Sequence, residues 1–122
     1  MNINQVQFLS VPVADHRKAK DFYVGTLGFE VRFEQEGPHG TFLMVGPSSG
    51  QTGLVLVDFP VPGVDFGGPL SFQLSTDDVD ADVAALRASG VEVADAQEMP
   101  WGRTTKFTDP DGNSVGLAQL TV

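Results

Sequence analysis

Val11-Pro12-Val13-Ala14-Asp15, then Phe22-Tyr23, then Leu27-Gly28-Phe29-Glu30-Val31 is the stretch that decides the fold, because the chain repeats its plan at Thr76-Asp77-Asp78, Leu86 and Gly90-Val91-Glu92-Val93. In each copy an Asp, Asp15 or Asp78, stands where a side-chain oxygen can cap a helix. Apolar residues then recur at helical spacing, Ala19, Phe22 and Tyr23 in one copy and Val79, Val83 and Leu86 in the other. A Gly ends each helix before a new strand. Self-similarity at this period means two copies of one supersecondary unit, each opening strand, helix, strand.

Both copies continue into apolar or alternating runs split by turns, 41–46 and 53–59 in the first and 103–109 and 114–120 in the second. The remaining expected elements are strands over 5–12, 29–35, 69–76 and 91–97 and helices over 15–26 and 78–89. Asp109-Pro110-Asp111-Gly112-Asn113 reads as a hairpin loop: Pro presets φ, Gly accepts φ > 0, and Asp and Asn side chains satisfy loop backbone. The segment 60–69, with its Pro and Gly, separates module 1–59 from module 70–122. Phe59, Val61, Val64 and Phe66 make it too apolar for a free tether, so it is expected to dock.

In this order, and twice repeated, Val11-Pro12-Val13-Ala14-Asp15, Phe22-Tyr23, Leu27-Gly28-Phe29, Asp77-Asp78-Val79-Asp80, Gly90-Val91, Trp101-Gly102-Arg103 and Asp109-Pro110-Asp111-Gly112-Asn113 resemble the vicinal oxygen chelate superfamily. That superfamily holds glyoxalases, bleomycin-resistance proteins and extradiol dioxygenases. The resemblance covers nearly all of the chain. It implies an α+β fold in which two βαβββ modules form a curled mixed sheet around a central cavity, one domain over 1–122 completed or flanked by a second subunit.

Composition sets limits. A chain of 122 residues is large enough for one core, which the repeats must share. The net charge of −9 argues against nucleic acid, whose phosphates need clustered Lys and Arg. No apolar run reaches membrane-spanning length and no signal-like segment opens the chain, so an unprocessed cytoplasmic protein that contacts no membrane is expected. Zero cysteines exclude disulfides and thiolate chemistry.

Alternation along strands brings Phe8, Ser10 and Pro12 onto one face if Leu9, Val11 and Val13 pack under the helix. The repeat does the same for Ser71, Gln73 and Ser75, and the last strands of the modules add Val55, Val57 and Gly116. With Trp101 and Arg103 flanking, these eleven residues are the expected ligand-binding set; an aromatic face beside a guanidinium suits a planar or anionic guest. Enzymes of the resembling family carry metal-binding His, Gln or Glu at positions matching Phe8, Val55, Ser71 and Gly116. Phe, Val and Gly offer no donor, so no metal and no cofactor are expected. His16 and His39 read as surface residues, a loose Glu34, Glu36 and His39 grouping as a strand end, Asp77 and Asp78 as caps, and Tyr23 as core. No catalytic residue is identified. The reading is a homodimeric, metal-free small-molecule binder that sequesters a drug or aromatic metabolite, with Gly116 making room for the guest; the alternative is a lyase, isomerase or dioxygenase with an unorthodox metal site.

Overall fold

The computed structural model describes residues 1–38, 40–61, 63 and 65–121. The expectations for His39, and for Val64 in the linker, lie outside the described residues. Two compact units divide the chain, Met1–Pro69 and Leu70–Val122. The first runs β1 (Phe8–Pro12), α1 (His16–Lys20), a π-helical turn (Asp21–Thr26), β2 (Glu30–Gly37), β3 (Gly40–Gly46) and β4 (Gly53–Val57). The second runs β5 (Ser71–Ser75), α2 (Val79–Ala88), β6 (Gln97–Met99), β7 (Gly102–Thr108) and β8 (Ser114–Leu120). Strand orders are β1-β4-β3-β2 and β5-β8-β7-β6, so the repeat read in the sequence is a repeat of topology. In each, the outermost first strand pairs in parallel with the last, and the other pairs are antiparallel. This is the α+β fold of two βαβββ modules that the resemblance implies.

Local chemistry explains the elements. Asp15 Oδ1 accepts from the N–H groups of Arg17 (2.9 Å) and Lys18 (3.2 Å), and Asp78 Oδ1 accepts from Ala81 N–H (3.1 Å). Each cap contributes about 1 kcal/mol. The N–H of Val79 is satisfied from another strand, by Gln119 Oε1 at 3.0 Å. At the far end of α2, Gly90 adopts φ +85° while its own N–H and that of Val91 return to the carbonyls of Arg87 (3.0 Å) and Leu86 (2.9 Å). These two bonds form a Schellman motif, which needs the left-handed conformation that glycine supplies.

Two expected elements differ. The first helix is α-helical only over His16–Lys20 and then widens, with Leu27 N–H reaching back five residues to Phe22 O at 3.0 Å. The wider turn carries fully buried Tyr23, whose ring meets Phe22 at 5.4 Å, so Tyr23 is core as expected. The strand expected over 91–97 pairs only over Gln97–Met99. Upstream of it the backbone is claimed by side chains: Arg87 Nη2 donates to Val93 O (2.9 Å) and Thr105 Oγ1 to Ala94 O (2.7 Å).

One face of each sheet carries the core, and the inner strand β4 is buried on both faces, Val55 and Val57 included. Val11, Leu43, Val45 and Leu56 are wholly inaccessible on the first, and Phe72, Phe107, Val115 and Leu117 are buried on the second. The loop 109–113 closes the β7–β8 hairpin as expected, with Gly112 at φ +82° and its N–H on Asp109 O at 3.1 Å. Buried Asp109 accepts from the backbone N–H groups of Asp111 and Asn113 and from Asn113 Nδ2, each at 2.8–2.9 Å. Asn113 Oδ1 in turn accepts from Leu70 N–H at 2.8 Å, tying the loop to the entry of β5. The Asp-Pro-Asp-Gly-Asn stretch is therefore both a turn and an anchor.

Candidate functional site

In each unit the expected ligand-binding residues other than Trp101 and Arg103 share the sheet face opposite the core. On the first sheet Phe8 stands opposite Gly53, Ser10 opposite Val55 and Pro12 opposite Val57. All five of the residues assigned to this module therefore share one face, as period two requires. β3 adds Met44, opposite Val55, and β2 adds Phe33, opposite Met44. The Phe42 ring lies 6.1 Å from Phe8 and 5.7 Å from Phe33, both edge-on at interplanar angles of 85° and 71°. Phe8 and Phe33 remain 36% and 49% exposed. Three aromatic rings and a thioether thus form an accessible apolar platform.

Phe33 escapes a reading by alternation for a definite reason. The β2 register shifts between Val31 and Phe33, so Val31 opposes Val45 of the core face while Phe33 opposes Met44 of the other. A bulge of this kind inverts the facing of every later residue. Arg32 occupies it, and its guanidinium donates to the carbonyls of Pro47 (2.7 Å), Gly50 (2.6 Å) and Gln51 (3.1 Å). It packs against Gly46, where a Cβ would stand 2.5 Å from its Cζ, so its role is to fix the 47–52 loop.

On the second sheet Ser71, Gln73 and Ser75 oppose Ser114, Gly116 and Ala118, and Thr108, Lys106 and Thr104 of β7 continue the rows. Ser71, Gln73 and Ser75 are exposed. The room above Gly116 is not vacant. The Gln73 carboxamide lies where a Gly116 side chain would begin, so the space expected for a guest is held by a neighbouring amide.

Arg103 lies on the other face. It opposes Gln119, which caps α2, and its fork donates to Asp80 of that helix at 2.8 and 3.0 Å and to Glu98 at 2.8 Å. The hydrogen bond from Arg103, with its charge, holds the Asp80 carboxyl below the ordinary aspartate range, and the two carboxylates raise the Arg103 guanidinium further. The structure therefore separates Arg103 from Ser71, Gln73, Ser75 and Gly116. Trp101, 48% exposed, is in the turn between Met99 and Gly102, with its carbonyl accepting from Thr121 N–H at 3.0 Å.

The family's metal-binding positions fail as a donor set here. Phe8 belongs to the ring cluster, Val55 is 2% exposed, Ser71 offers one hydroxyl, and Gly116 has no side chain. Among the described residues no three His, Cys, Asp or Glu side chains are grouped to hold a metal ion. His16, expected as a solvated surface residue, is instead only 20% exposed in its side chain, with buried Nε2 lacking a hydrogen bond and 4.0 Å from Glu34 Oε2. Lys20 holds that carboxylate at 3.1 Å, so α1 and β2 are braced by ionic contact. No helix of the described residues is long and apolar enough to cross a membrane.

Comparison with known proteins agrees with the topology. The sequence model of the Glyoxalase/Bleomycin resistance protein/Dioxygenase superfamily matches residues 2–117. The chain is similar to TnmS3, described as an antibiotic binding protein from Streptomyces sp. CB03234, at 50% identity and a TM-score of 0.90 over 99% of both chains. It is equally similar in sequence to a glyoxalase/bleomycin resistance protein from the same Streptomyces strain, at 50% identity and a TM-score of 0.81 over 92% of this chain and 97% of that one. The uncharacterized protein YetH of Bacillus subtilis is 28% identical over 113 residues, 91% of this chain and 94% of YetH.

Proposed function

The chain belongs to the Glyoxalase/Bleomycin resistance protein/Dioxygenase superfamily, and we propose that it is a metal-free binder that sequesters a small aromatic molecule, a drug or a metabolite. The observation that carries this reading is the edge-on cluster of Phe8, Phe42 and Phe33 on an accessible sheet face. Stacking and edge contacts between aromatic rings are worth about 0.5–1.5 kcal/mol each beyond area burial, and a planar guest can engage several at once. Ser10 and Pro12 border the platform above buried Val55 and Val57, and Ser10 brings a single hydroxyl to orient a ligand. On the second sheet Ser71, Gln73, Ser75 and Gly116 form a polar face of that unit's own, with exposed Trp101 in the turn before β7. Arg103 has no part in binding, because Asp80 and Glu98 occupy its fork.

Sequestration is favoured over catalysis by the donor set: no side chain at the family's metal positions can activate water or polarise a carbonyl. The similarity to an antibiotic binding protein at 50% identity supports the same choice. The reading takes the protein to be cytoplasmic and a homodimer, whose second copy covers apolar side chains such as Leu9, Val31 and Leu120 that each remain more than a third exposed. Calorimetric titration of chelator-treated protein with bleomycin and with planar aromatic antibiotics tests it. Saturable binding that falls at least fivefold in Phe33→Ala is the expected result, and equal affinity in that variant removes the platform from the account.

A further inference from the structure

The unit Leu70–Val122 contains nine acidic residues, from Asp77 to Asp111, against three basic ones. Their placement is uneven. Asp77, Asp78, Asp80 and Asp82 gather at the start of α2, Asp109 and Asp111 are in the hairpin loop, and Glu98 faces Arg103 on the helix side. Across the helix-free rows, Ser71-Ser114-Thr108, Gln73-Gly116-Lys106 and Ser75-Ala118-Thr104, there is no carboxylate. There is one ammonium. Arg87 is paired with Asp95 and Arg103 with Asp80 and Glu98, whereas exposed Lys106 has no carboxylate partner among the described residues.

The middle row has the geometry of a receptor. Strands are spaced by about 4.8 Å, so Gln73 and Lys106 stand roughly 10 Å apart across Gly116. Because Gly116 has no side chain, the Gln73 carboxamide lies over it, on the row that Lys106 continues. The flexible four-carbon stem of lysine spans the rest. An amide N–H and an ammonium can then converge on one oxygen above the glycine, with the hydroxyls of Ser71, Ser75 and Ser114 as further donors on adjacent rows.

We propose that the Gln73-Gly116-Lys106 row is a recognition site for a carboxylate. The site lies wholly within the unit Leu70–Val122 and assigns that unit a ligand class, a carboxylate, independently of the aromatic platform. An acidic protein would repel such an anion everywhere else on this unit, so a carboxylate-free face with a single cation selects where it docks.

The test uses 2-naphthoate and its neutral methyl ester, followed by NMR at the Gln73 side-chain amide, at Lys106 Cε and at the rings of Phe8, Phe33 and Phe42. The expected result is saturable shifts at Gln73 and Lys106 with 2-naphthoate, and a loss of about tenfold in affinity both for the ester and for Lys106→Gln, the scale of a charge-assisted hydrogen bond. Lys106→Arg should retain most of the affinity. No shift at Gln73 and Lys106, or an acid-to-ester preference that Lys106→Gln leaves intact, overturns the carboxylate site. Ring shifts without Gln73 and Lys106 shifts retain the aromatic platform and refute this site; the reverse pattern supports this site and refutes the platform.

Discussion

Gly102 and Gly116 look interchangeable in the sequence, each a glycine in a strand of the same hairpin, yet replacing them by alanine should have opposite consequences. Gly102 has φ +148°, and a Cβ there would meet the backbone, Leu120 Cα at 2.8 Å and the Gln119 carbonyl closer still. Neither neighbour can move without parting β7 from β8. The unfavourable φ costs about 1–3 kcal/mol and the overpacking a similar amount, so Gly102→Ala should destabilise by about 3 kcal/mol. A Cβ on Gly116 would meet only the end of the Gln73 side chain, which can rotate away. Restoring a side chain to the strand returns about 0.5–1 kcal/mol, so Gly116→Ala should lie within about 1 kcal/mol of the parent. Urea unfolding with two spectroscopic probes measures both, and with a slope of about 1–2 kcal/mol per molar the Gly102→Ala midpoint should fall by roughly 2 M. A Gly102→Ala protein as stable as the parent would refute the close-approach argument, and a collapsed Gly116→Ala protein would refute the claim that only a movable amide fills that space.

Gly116→Glu should fold, displace the Gln73 carboxamide and weaken 2-naphthoate binding by more than tenfold, since a carboxylate would then face the ligand's own; calorimetry checks the affinity and circular dichroism the fold. Arg103→Gln should leave ligand affinity unchanged while freeing α2 from β7, and the Asp80 carboxyl followed by NMR should titrate at higher pH than in the parent. The sign follows from the direction of the shift. A carboxyl depressed in the folded state stabilises above its unfolded pKa of about 3.9 and loses that contribution as pH falls through the lower folded value. Asp109→Ala should cost about 2–4 kcal/mol in the same unfolding assay, because it leaves the N–H groups of Asp111 and Asn113 and the Asn113 amide without their acceptor. Light scattering at micromolar concentration should give the mass of two chains, and a single-chain mass would remove the homodimer from the proposal.

Local chemistry was legible. Asp15 and Asp78 as caps, Gly90 as a helix stop and the five-residue loop at 109–113 each act within a few residues, so their signals survive in the sequence, and repeated in order they give the topology. The facing of Phe33 was not, because it depends on a bulge at Arg32 that only the carbonyls of the distant 47–52 loop stabilise. The widened turn after Lys20 is likewise set by packing of Tyr23 rather than by propensity. Arg103 is an intermediate case. The loop puts Thr108 opposite Ser114, and counting back from that pair brings Lys106 to Gly116 and turns Arg103 toward α2. The residue at the open face is therefore Lys106, which the sequence reading did not single out.

Stoichiometric capture without chemistry is decided by incubating chelator-treated protein with a bound aromatic antibiotic and analysing what is released on denaturation. No more than one ligand per chain should be bound, recovered with its mass unchanged and held with the same affinity whether or not divalent ions are added. A converted product, or binding that appears only with added metal, would contradict it.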